Sequence, residues 1–374
     1  MPHVTTALAS VAVAPGRSEL REFPLPDVGD EAGLLRVEAA GVCGTDVAGY
    51  ARTAPARILG HENVGRLVRL GAGAARRWGL AEGDRVAVEE YLPCGHCDRC
   101  RTTDYRYCAA TDSRGGGIRY GSTPVTVAPA LWGGYAQYLY LHPDSVLHRV
   151  PEDVPAERLA LALPVSNGYE WAVLEGGARP GTSVVVLGPG QQGIACAFAA
   201  KLAGADHVTV TGLGGDRHRL DLARRLGADL TLDAERDDVV AAMADLTRGA
   251  GVDLVIDTAR GDAATLGPAV AMAGQRGTVL MSTAPDTADG LPLRAAQWKC
   301  LSLRGVRGHS HRAVEWAVSV LAEERHGLGA MCSRSFGLAE VDRAIRATGG
   351  EPAGADCVHV TVDPWRDTGG EGGV

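Results

Sequence analysis

The stretch SVVVLGPGQQG, residues 183–193, constrains the fold of this chain more than any other segment. A short β-branched run ends in the pattern G-x-G-x-x-G, formed by Gly188, Gly190 and Gly193, and the alanine-rich stretch IACAFAAKLAGA follows. This order predicts a strand, a tight turn and a helix, in which the glycines let the backbone approach a pyrophosphate at the helix N-terminus. We therefore predict a dinucleotide site that includes these glycines together with Gln191 and Gln192.

Segments of alternating type continue after this motif. Helix-like stretches separate strand-like runs, which are HVTVTG (207–212), DLTLD (229–233), VDLVIDTA (252–259) and GTVLMS (277–282). Regular alternation of strands and helices is typical of an α/β domain with a parallel sheet covered on both faces. The sequence therefore predicts a doubly wound parallel sheet, a Rossmann nucleotide-binding domain.

The end of the second strand bears on the choice between NAD and NADP. An acidic residue there would bind the adenosine ribose and favour NAD, but this strand ends at Thr211 and Gly212 and continues as Leu-Gly-Gly. The nearest carboxylate, Asp216, lies at the expected N-cap of the next helix. Arg217 and Arg219 either hold a 2′-phosphate or belong to an ordinary basic helix face. The pattern favours NADP over NAD, with Gly212 and the two arginines as cofactor contacts.

Four cysteines are clustered in the segment YLPCGHCDRCRTTDYRYC. They are Cys94, Cys97, Cys100 and Cys108. One compact loop with this spacing can bring four thiolates to the corners of a tetrahedron, which suits a structural zinc without an open position. An iron–sulfur cluster also uses four cysteines, but the flanking arginines do not favour it. A zinc ribbon that binds nucleic acid is disfavoured by the acidic character of the chain.

Composition excludes several classes of partner. The chain has 374 residues, with 37 Lys and Arg against 45 Asp and Glu, and a formal net charge of −8. Binding to a phosphate backbone needs a dense basic face, so we expect no nucleic-acid partner. The sequence has no apolar run long enough to span a membrane, and its N-terminus lacks the basic region of a signal peptide. We expect a cytoplasmic protein with a small-molecule substrate.

Together these motifs resemble the zinc-containing medium-chain dehydrogenase/reductase family, of the alcohol, sorbitol and threonine dehydrogenase type. The resemblance covers nearly the whole chain. Besides the glycine motif and the cysteine cluster, it is carried by GVCGTD (41–46), GHENVG (60–65), GDRV (83–86), WGGYAQYLYL (132–141) and RLGAD (225–229).

The resemblance implies a domain organisation. Residues 1–152 and 305–374 would form a catalytic domain built on a GroES-like β-barrel, with the four-cysteine lobe at about 91–110. Residues 153–304 would form the Rossmann NAD(P)-binding domain. Members of the family usually associate through the nucleotide domain, so a homodimer or homotetramer is expected.

The resemblance also implies the catalytic residues. In the family, the cysteine of GVCGTD and the histidine of GHE bind the catalytic zinc, which are Cys43 and His61 here. Glu62 matches a residue that is a direct ligand in some members and an outer partner in others. Thr45 matches the hydroxyl that passes on the substrate proton, and Asp46 matches a carboxylate behind the metal ligands. Thiolate, imidazole and carboxylate are suitable zinc donors, and zinc with an open position polarises an alcohol or carbonyl oxygen.

Two positions depart from the family pattern. The further zinc ligand expected before the nucleotide domain aligns with Leu163, which cannot bind metal, and a histidine common on the proton path aligns with Ala48. Three interpretations follow. In the favoured one, Cys43, His61 and Glu62 hold zinc, and the chain is an alcohol–ketone oxidoreductase. In the second, catalytic zinc is weak or absent, and hydride adds to an activated alkene, iminium or carbonyl. In the third, the chain is a zinc-stabilised nucleotide-binding protein without turnover.

The substrate prediction rests on the residues before the cysteine cluster. Glu89, Glu90 and Tyr91 lie where the family often has an aromatic or apolar substrate contact. An acidic wall there would favour a polar or cationic substrate, such as a polyol or an aminopolyol. The alternative is a solvated loop edge.

Overall fold

The protein is described by a computed structural model that covers residues 5–52, 55–259, 261, 263–288, 290–351 and 356–366. The chain divides into two compact units. One comprises Met1–Leu163, Val318–Glu324 and Cys332–Val374, and the other comprises Pro164–Ala317 and Arg325–Met331. The domain boundaries inferred from the sequence stay a prediction. Within the described residues, every helix is too short or too polar to cross a membrane.

The first part of the chain consists of strands with short intervening helices. Its strands are β1 (Thr6–Ala14), β2 (Arg17–Pro24), β3 (Gly33–Gly41), β4 (Arg57–Ile58), β5 (Glu62–Leu70), β6 (Arg85–Val88), β7 (Tyr138–Leu141) and β8 (Leu147–Arg149). Its helices are α1 (Gly44–Tyr50), α2 (Ala72–Trp78), α3 (Asp98–Arg101) and α4 (Ala156–Leu159).

The middle of the chain alternates between helices and strands. Its helices are α5 (Ala162–Tyr169), which continues as a π-helix over Glu170–Glu175, α6 (Gln191–Leu202), α7 (Arg217–Arg225), α8 (Val239–Leu246), α9 (Leu266–Met272), α10 (Leu293–Trp298) and α11 (His311–Ala322). Its strands are β9 (Ser183–Leu187), β10 (His207–Gly212), β11 (Leu230–Asp233), β12 (Val252–Asp257), β13 (Ala273–Met281) and β14 (Ser302–Gly305). The chain then adds β15 (Cys332–Phe336), α12 (Val341–Gly349) and β16 (His359–Val362).

In the described residues of the first unit, the strands form two sheets. A three-stranded sheet has the order β2-β1-β4, and a seven-stranded sheet has the order β15-β16-β3-β5-β6-β8, with β7 also paired to β3. In β3 the apolar residues Leu34, Leu35 and Val37 are fully buried in one core with residues of β1, β5, β6 and β7. The central strand β3 pairs antiparallel with β5, and this register sets Gly41 opposite Glu62. The candidate metal ligands therefore start from a fixed point in the sheet.

The second unit contains one parallel sheet. Its six strands have the order β11-β10-β9-β12-β13-β14, and every neighbouring pair is parallel. The central strand β9, SVVVL, is a nearly continuous apolar run, as expected where helices cover both faces of such a sheet. The strand order reverses between β9 and β12, which is where doubly wound sheets bind their ligands. The predicted sheet is confirmed, and β14 extends it by one strand that we did not predict.

Candidate active site

Cys43 follows the central strand β3 and caps helix α1. The side chain of Asp46 accepts a hydrogen bond from the backbone N–H of Cys43 at 3.0 Å, and the carbonyl of Cys43 accepts one from the N–H of Asp46 at 3.0 Å. A carboxylate in the first turn also favours the helix start electrostatically. The motif GVCGTD thus forms a turn that fixes the position of the Cys43 thiol.

The Asp46 carboxylate also contacts the segment that contains His61. Asp46 accepts a hydrogen bond from the N–H of Gly60 at 3.3 Å, and its Oδ1 lies 3.4 Å from Nδ1 of His61. The hydroxyl of Tyr135 donates to the other oxygen of Asp46 at 3.1 Å. Asp46 is 2% exposed, so these contacts satisfy a buried charge.

We assigned no role to Tyr135 from the sequence. Its phenol is fully buried, and a buried tyrosine hydroxyl normally needs a hydrogen-bond partner. That requirement, together with its place in the motif WGGYAQYLYL, is the signal that could have identified it. Its hydrogen bond makes it a support for Asp46.

Cys43, His61 and Glu62 bring one donor atom each to a common point. The Cys43 sulfur, a ring nitrogen of His61 and a carboxylate oxygen of Glu62 all lie within 4.8 Å of one another. Nδ1 of His61 faces Asp46, which leaves Nε2 as the ring nitrogen for a metal, the usual division of roles in a metal-bound histidine. Oγ1 of Thr45 lies 3.4 Å from that Nε2. This donor set fits a zinc ion with one position left for substrate.

The electrostatics of the two acidic groups in this cluster, Glu62 and Cys43, also favour a bound cation. Burial raises the pKa of Glu62 to about 8, and burial together with the Glu62 carboxylate raises the pKa of the Cys43 thiol. Burial alone would lower the pKa of His61, but the Asp46 carboxylate outweighs it, so the pKa of His61 is well above its usual value. Two acidic groups whose ionised forms are costly in isolation are suited to a divalent cation, which stabilises both.

The two positions that depart from the family pattern differ in their exposure to solvent. Leu163 is buried in α5, and Ala48 is exposed on α1. Neither residue type offers a metal ligand or a proton carrier. The hydroxyl of Thr45, which is also exposed on α1, lies 3.4 Å from Nε2 of His61.

The four cysteines of the lobe converge around the start of α3. The recorded sulfur–sulfur distances are 4.0 Å for Cys94–Cys100, 3.5 Å for Cys97–Cys100, 3.8 Å for Cys97–Cys108 and 3.6 Å for Cys94–Cys108. Zinc–sulfur bonds of about 2.3 Å imply tetrahedral edges of about 3.8 Å. The backbone N–H groups of His96 and Cys97 lower the pKa of Cys94 to about 6, which favours the thiolate. The lobe therefore fits a tetrahedral zinc.

The glycine motif forms the turn between β9 and α6. Gly188 has a φ of +94°, a backbone conformation that residues other than glycine rarely adopt. A Cβ atom at Gly193 would lie 1.9 Å from the carbonyl oxygen of Gly188, so the helix packs directly on the turn. At Gly190, the N-cap of α6, a Cβ atom would meet no atom of the described residues within 4 Å. Open space at a helix N-terminus suits a pyrophosphate.

The two glutamines of the motif lie in the first turn of α6. Gln191 is buried, and the side-chain oxygen of Gln192 is buried without a hydrogen-bond partner among the described residues. A buried polar atom in this condition is costly unless a ligand or water pairs with it. The turn therefore fits a dinucleotide cofactor.

The predicted 2′-phosphate contacts follow β10. Gly212 ends the strand, Arg217 is exposed at the first position of α7, and Arg219 lies 3.4 Å from the carboxylate of Asp216. The side chain of Asp216 does not cap α7 as expected. It accepts a hydrogen bond from the N–H of Leu213 at 3.1 Å and so closes the preceding turn.

Glu89 and Glu90 lie inside the first unit. Glu89 is fully buried, accepts a hydrogen bond from the Tyr105 hydroxyl at 2.7 Å, and lies 2.8 Å from Nε2 of His148. Glu90 is 6% exposed and pairs with Arg119 at 3.1 Å. The structure therefore gives these carboxylates internal partners in place of the substrate contact that we expected from the sequence.

The fold and the two cysteine-containing clusters define a zinc-type dehydrogenase, a class of oxidoreductase. Residues 29–152 match the family model of the alcohol dehydrogenase GroES-like domain, and residues 193–323 match that of the zinc-binding dehydrogenase. A probable alcohol dehydrogenase from Mycobacterium tuberculosis is 38% identical over 363 residues, which cover 95% of this chain and 98% of that protein. The chain belongs to the zinc-type medium-chain dehydrogenase/reductase family. The predicted family, fold class and oxidoreductase assignment are confirmed.

Two further comparisons bear on substrate and cofactor. An erythritol/L-threitol dehydrogenase from Mycolicibacterium smegmatis is 34% identical over 250 residues, which cover 63% of this chain and 65% of that enzyme. A crystal structure from Sinorhizobium meliloti, of a protein described as a zinc-binding dehydrogenase bound to NADP, has 26% identity and a TM-score of 0.80. That alignment covers 96% of this chain and 99% of the other.

Proposed function

We propose that the chain interconverts a small polar alcohol and its ketone or aldehyde by hydride transfer, with NAD(P) as cofactor. The observation that carries this proposal is the convergence of the donor atoms of Cys43, His61 and Glu62 within 4.8 Å. These three residues hold the catalytic zinc, and the four cysteines of the lobe hold a structural zinc. When bound, zinc supplies a Lewis acid for the substrate oxygen, and the nicotinamide exchanges the hydride.

The protein side chains position the reactants and move the proton. Asp46, held by the backbone of Cys43 and Gly60, keeps Nδ1 of His61 engaged and so orients the imidazole. The Thr45 hydroxyl, which is exposed and 3.4 Å from Nε2 of His61, relays the proton of the substrate alcohol by accepting it as it gives up its own. Because position 48 is an alanine, the onward path of that proton from Thr45 would be the cofactor ribose, another side chain or water.

NADP is the preferred cofactor in this proposal. Arg217 is exposed at the start of α7, directly after the β10 turn, where a guanidinium can pair with a 2′-phosphate. Arg219 supports the same site through its contact with Asp216. Arg217→Ala should raise the KM for NADP and leave that for NAD unchanged. Arg225→Ala, at the exposed far end of the same helix, is the matched control, and an equal effect of the two variants would contradict this role.

A polyol is the proposed substrate class. Support comes from the erythritol/L-threitol dehydrogenase relative, since the buried Glu89 and Glu90 no longer provide it. The test is a panel of short polyols, aminopolyols and simple primary alcohols assayed with both nucleotides. A clear preference for simple alcohols would refute the polyol assignment but not the dehydrogenase.

The metal assignment has its own test. Wild-type protein should contain about two zinc ions per chain, and Cys43→Ser should lose about one of them together with alcohol oxidation. Elemental analysis of gel-filtered protein, run beside the activity assay, measures both. A Cys43→Ser variant that keeps full activity would overturn the proposed site.

A homodimer or homotetramer through the second unit completes the proposal. Strand β14 is the edge of the six-stranded sheet, all four of its residues are exposed, and Leu293 and Trp298 on the preceding helix are 63% and 71% exposed. An open strand edge beside exposed apolar side chains is suited to pairing with a second chain. Light scattering after gel filtration should give a smaller assembly for Trp298→Ser than for Leu202→Ser, a control on α6. Identical assemblies would contradict this interface.

A further inference from the structure

The tip of β10 receives a carboxylate from the neighbouring strand. The parallel register pairs Thr209 with Leu230 and Gly212 with Asp233, a constant offset of 21 positions. The same offset continues beyond the strands, where Oε2 of Glu235 accepts a hydrogen bond from the N–H of Gly214 at 2.8 Å. This contact is therefore a continuation of the sheet register.

Several local contacts hold Glu235 at this point. Its own N–H donates to the carboxylate of Asp233 at 3.1 Å, and the N–H of Asp233 donates to Asp237 at 2.8 Å. A Cβ atom at Gly214 would lie 2.8 Å from Oε2 of Glu235. A side chain at position 214 would therefore push the Glu235 carboxylate away from this backbone N–H.

Two backbone N–H groups directly after β10 already donate to carboxylates. The N–H of Leu213 donates to Asp216, and the N–H of Gly214 donates to Glu235. Asp216 in turn pairs with Arg219 at 3.4 Å. An acidic group at the end of the second strand is what an adenosine ribose binds in dinucleotide sites of this kind. In this chain, Glu235, which follows the third strand β11, supplies an acidic group at the end of the second strand β10.

We infer that Glu235 is a specificity-determining residue that weakens the binding of NADP relative to NAD. This inference rests on the proposed nucleotide site. A 2′-phosphate carries a charge of about −1.5 to −2 near neutral pH, and it would face the Glu235 carboxylate and compete with it for the Gly214 N–H. The 2′-hydroxyl of NAD can instead donate a hydrogen bond to that carboxylate. Glu235 thus opposes the attraction that Arg217 exerts on the phosphate, and the balance of the two sets the cofactor preference.

The test measures nucleotide binding to the full-length protein without turnover. Glu235→Gln keeps an oxygen for the Gly214 N–H and removes the charge. The ratio of the Kd for NADPH to the Kd for NADH, from fluorescence titration, should fall about tenfold, as expected for like charges a few ångströms apart in a solvent-exposed setting. Asp237→Asn removes one charge from the same loop but keeps an oxygen that accepts from the Asp233 N–H, so it should leave the support of Glu235 and the ratio unchanged.

Each result separates this inference from the function on which it rests. An unchanged ratio in Glu235→Gln, or an equal fall in Asp237→Asn, overturns the role of Glu235 and leaves the proposed dehydrogenase intact. Wild-type protein that binds neither nucleotide overturns both. A retained affinity of Glu235→Gln for NADH shows that the variant is folded, so that a fall in the ratio supports the inference.

Discussion

The turn between β9 and α6 contains two glycines whose substitution should have different consequences. A Cβ atom at Gly193 would lie 1.9 Å from the carbonyl oxygen of Gly188 and 2.7 Å from Oγ1 of Thr258. A rotamer change cannot relieve a contact with backbone, so the turn or the helix must move. We expect Gly193→Ala to lower the free energy of unfolding by about 1–3 kcal/mol, the usual cost of overpacking.

Calorimetry and nucleotide titration distinguish the two positions. For a unit of this size, each kcal/mol shifts the melting temperature by about 2–4 °C, so Gly193→Ala should melt several degrees below the wild type. Gly190 has a φ of −71°, and a Cβ atom there would meet nothing within 4 Å in the described part of the chain. Gly190→Ala should therefore keep the wild-type melting temperature and lose about tenfold in NADPH affinity, or ~1.4 kcal/mol, because the methyl group occupies space left for the pyrophosphate.

Two results would refute this reasoning. If Gly193→Ala melted at the wild-type temperature, the close packing of α6 on the turn would not be a property of the folded protein in solution. If Gly190→Ala bound NADPH as tightly as the wild type, the pyrophosphate would not lie against this glycine.

Three further changes test the lobe, a buried network and one histidine. Cys97→Ser should remove about one zinc per chain, whereas Cys300→Ser, at an exposed thiol outside both clusters, should remove none; elemental analysis decides. Glu89→Ala removes a buried acceptor and should cost about 2–5 kcal/mol in urea unfolding; a cost near zero would contradict the network. Burial lowers the pKa of His142 below 6.5. As the pH is lowered through 6.5, the unfolded chain therefore binds a proton at this histidine more readily than the folded chain, and the free energy of unfolding decreases. Comparing urea unfolding at pH 6.5 and 5.5 should show a smaller fall for His142→Gln.

The sheet of the second unit could be predicted because of how its strands are buried. Central parallel strands contact helices on both faces, so β9 appears in the sequence as the apolar run SVVVL, and β10 (HVTVTG) and β12 (VDLVID) are rich in β-branched and apolar residues. Strand β14 gives no such signal, because its sequence SLRG is exposed at all four positions. An edge strand such as β14 forms because it pairs with a neighbour, here β13. That pairing could not be predicted from the four residues SLRG alone.

The candidate site shows a similar limit. The family resemblance indicated Cys43, His61 and Glu62, and their thiolate, imidazole and carboxylate are suitable zinc donors. The motif could not identify Tyr135, which lies 89 positions from the Asp46 carboxylate it supports. For Glu89, the sequence suggested either an acidic wall that contacts the substrate or a solvated loop edge. Its buried partners Tyr105 and His148 were not apparent from the sequence.

In both units, strand register places the functional groups that the sequence alone does not bring together. In the first unit the antiparallel pairing of β3 with β5 sets Gly41 opposite Glu62, and a Cβ atom at Gly41 would lie 2.2 Å from the Glu62 carboxylate. In the second unit the parallel offset of β10 and β11 brings Glu235 to Gly214. Each glycine leaves room for a carboxylate from the adjacent strand. The local motif therefore determines which donor groups are present, and the register determines which of them act at one site.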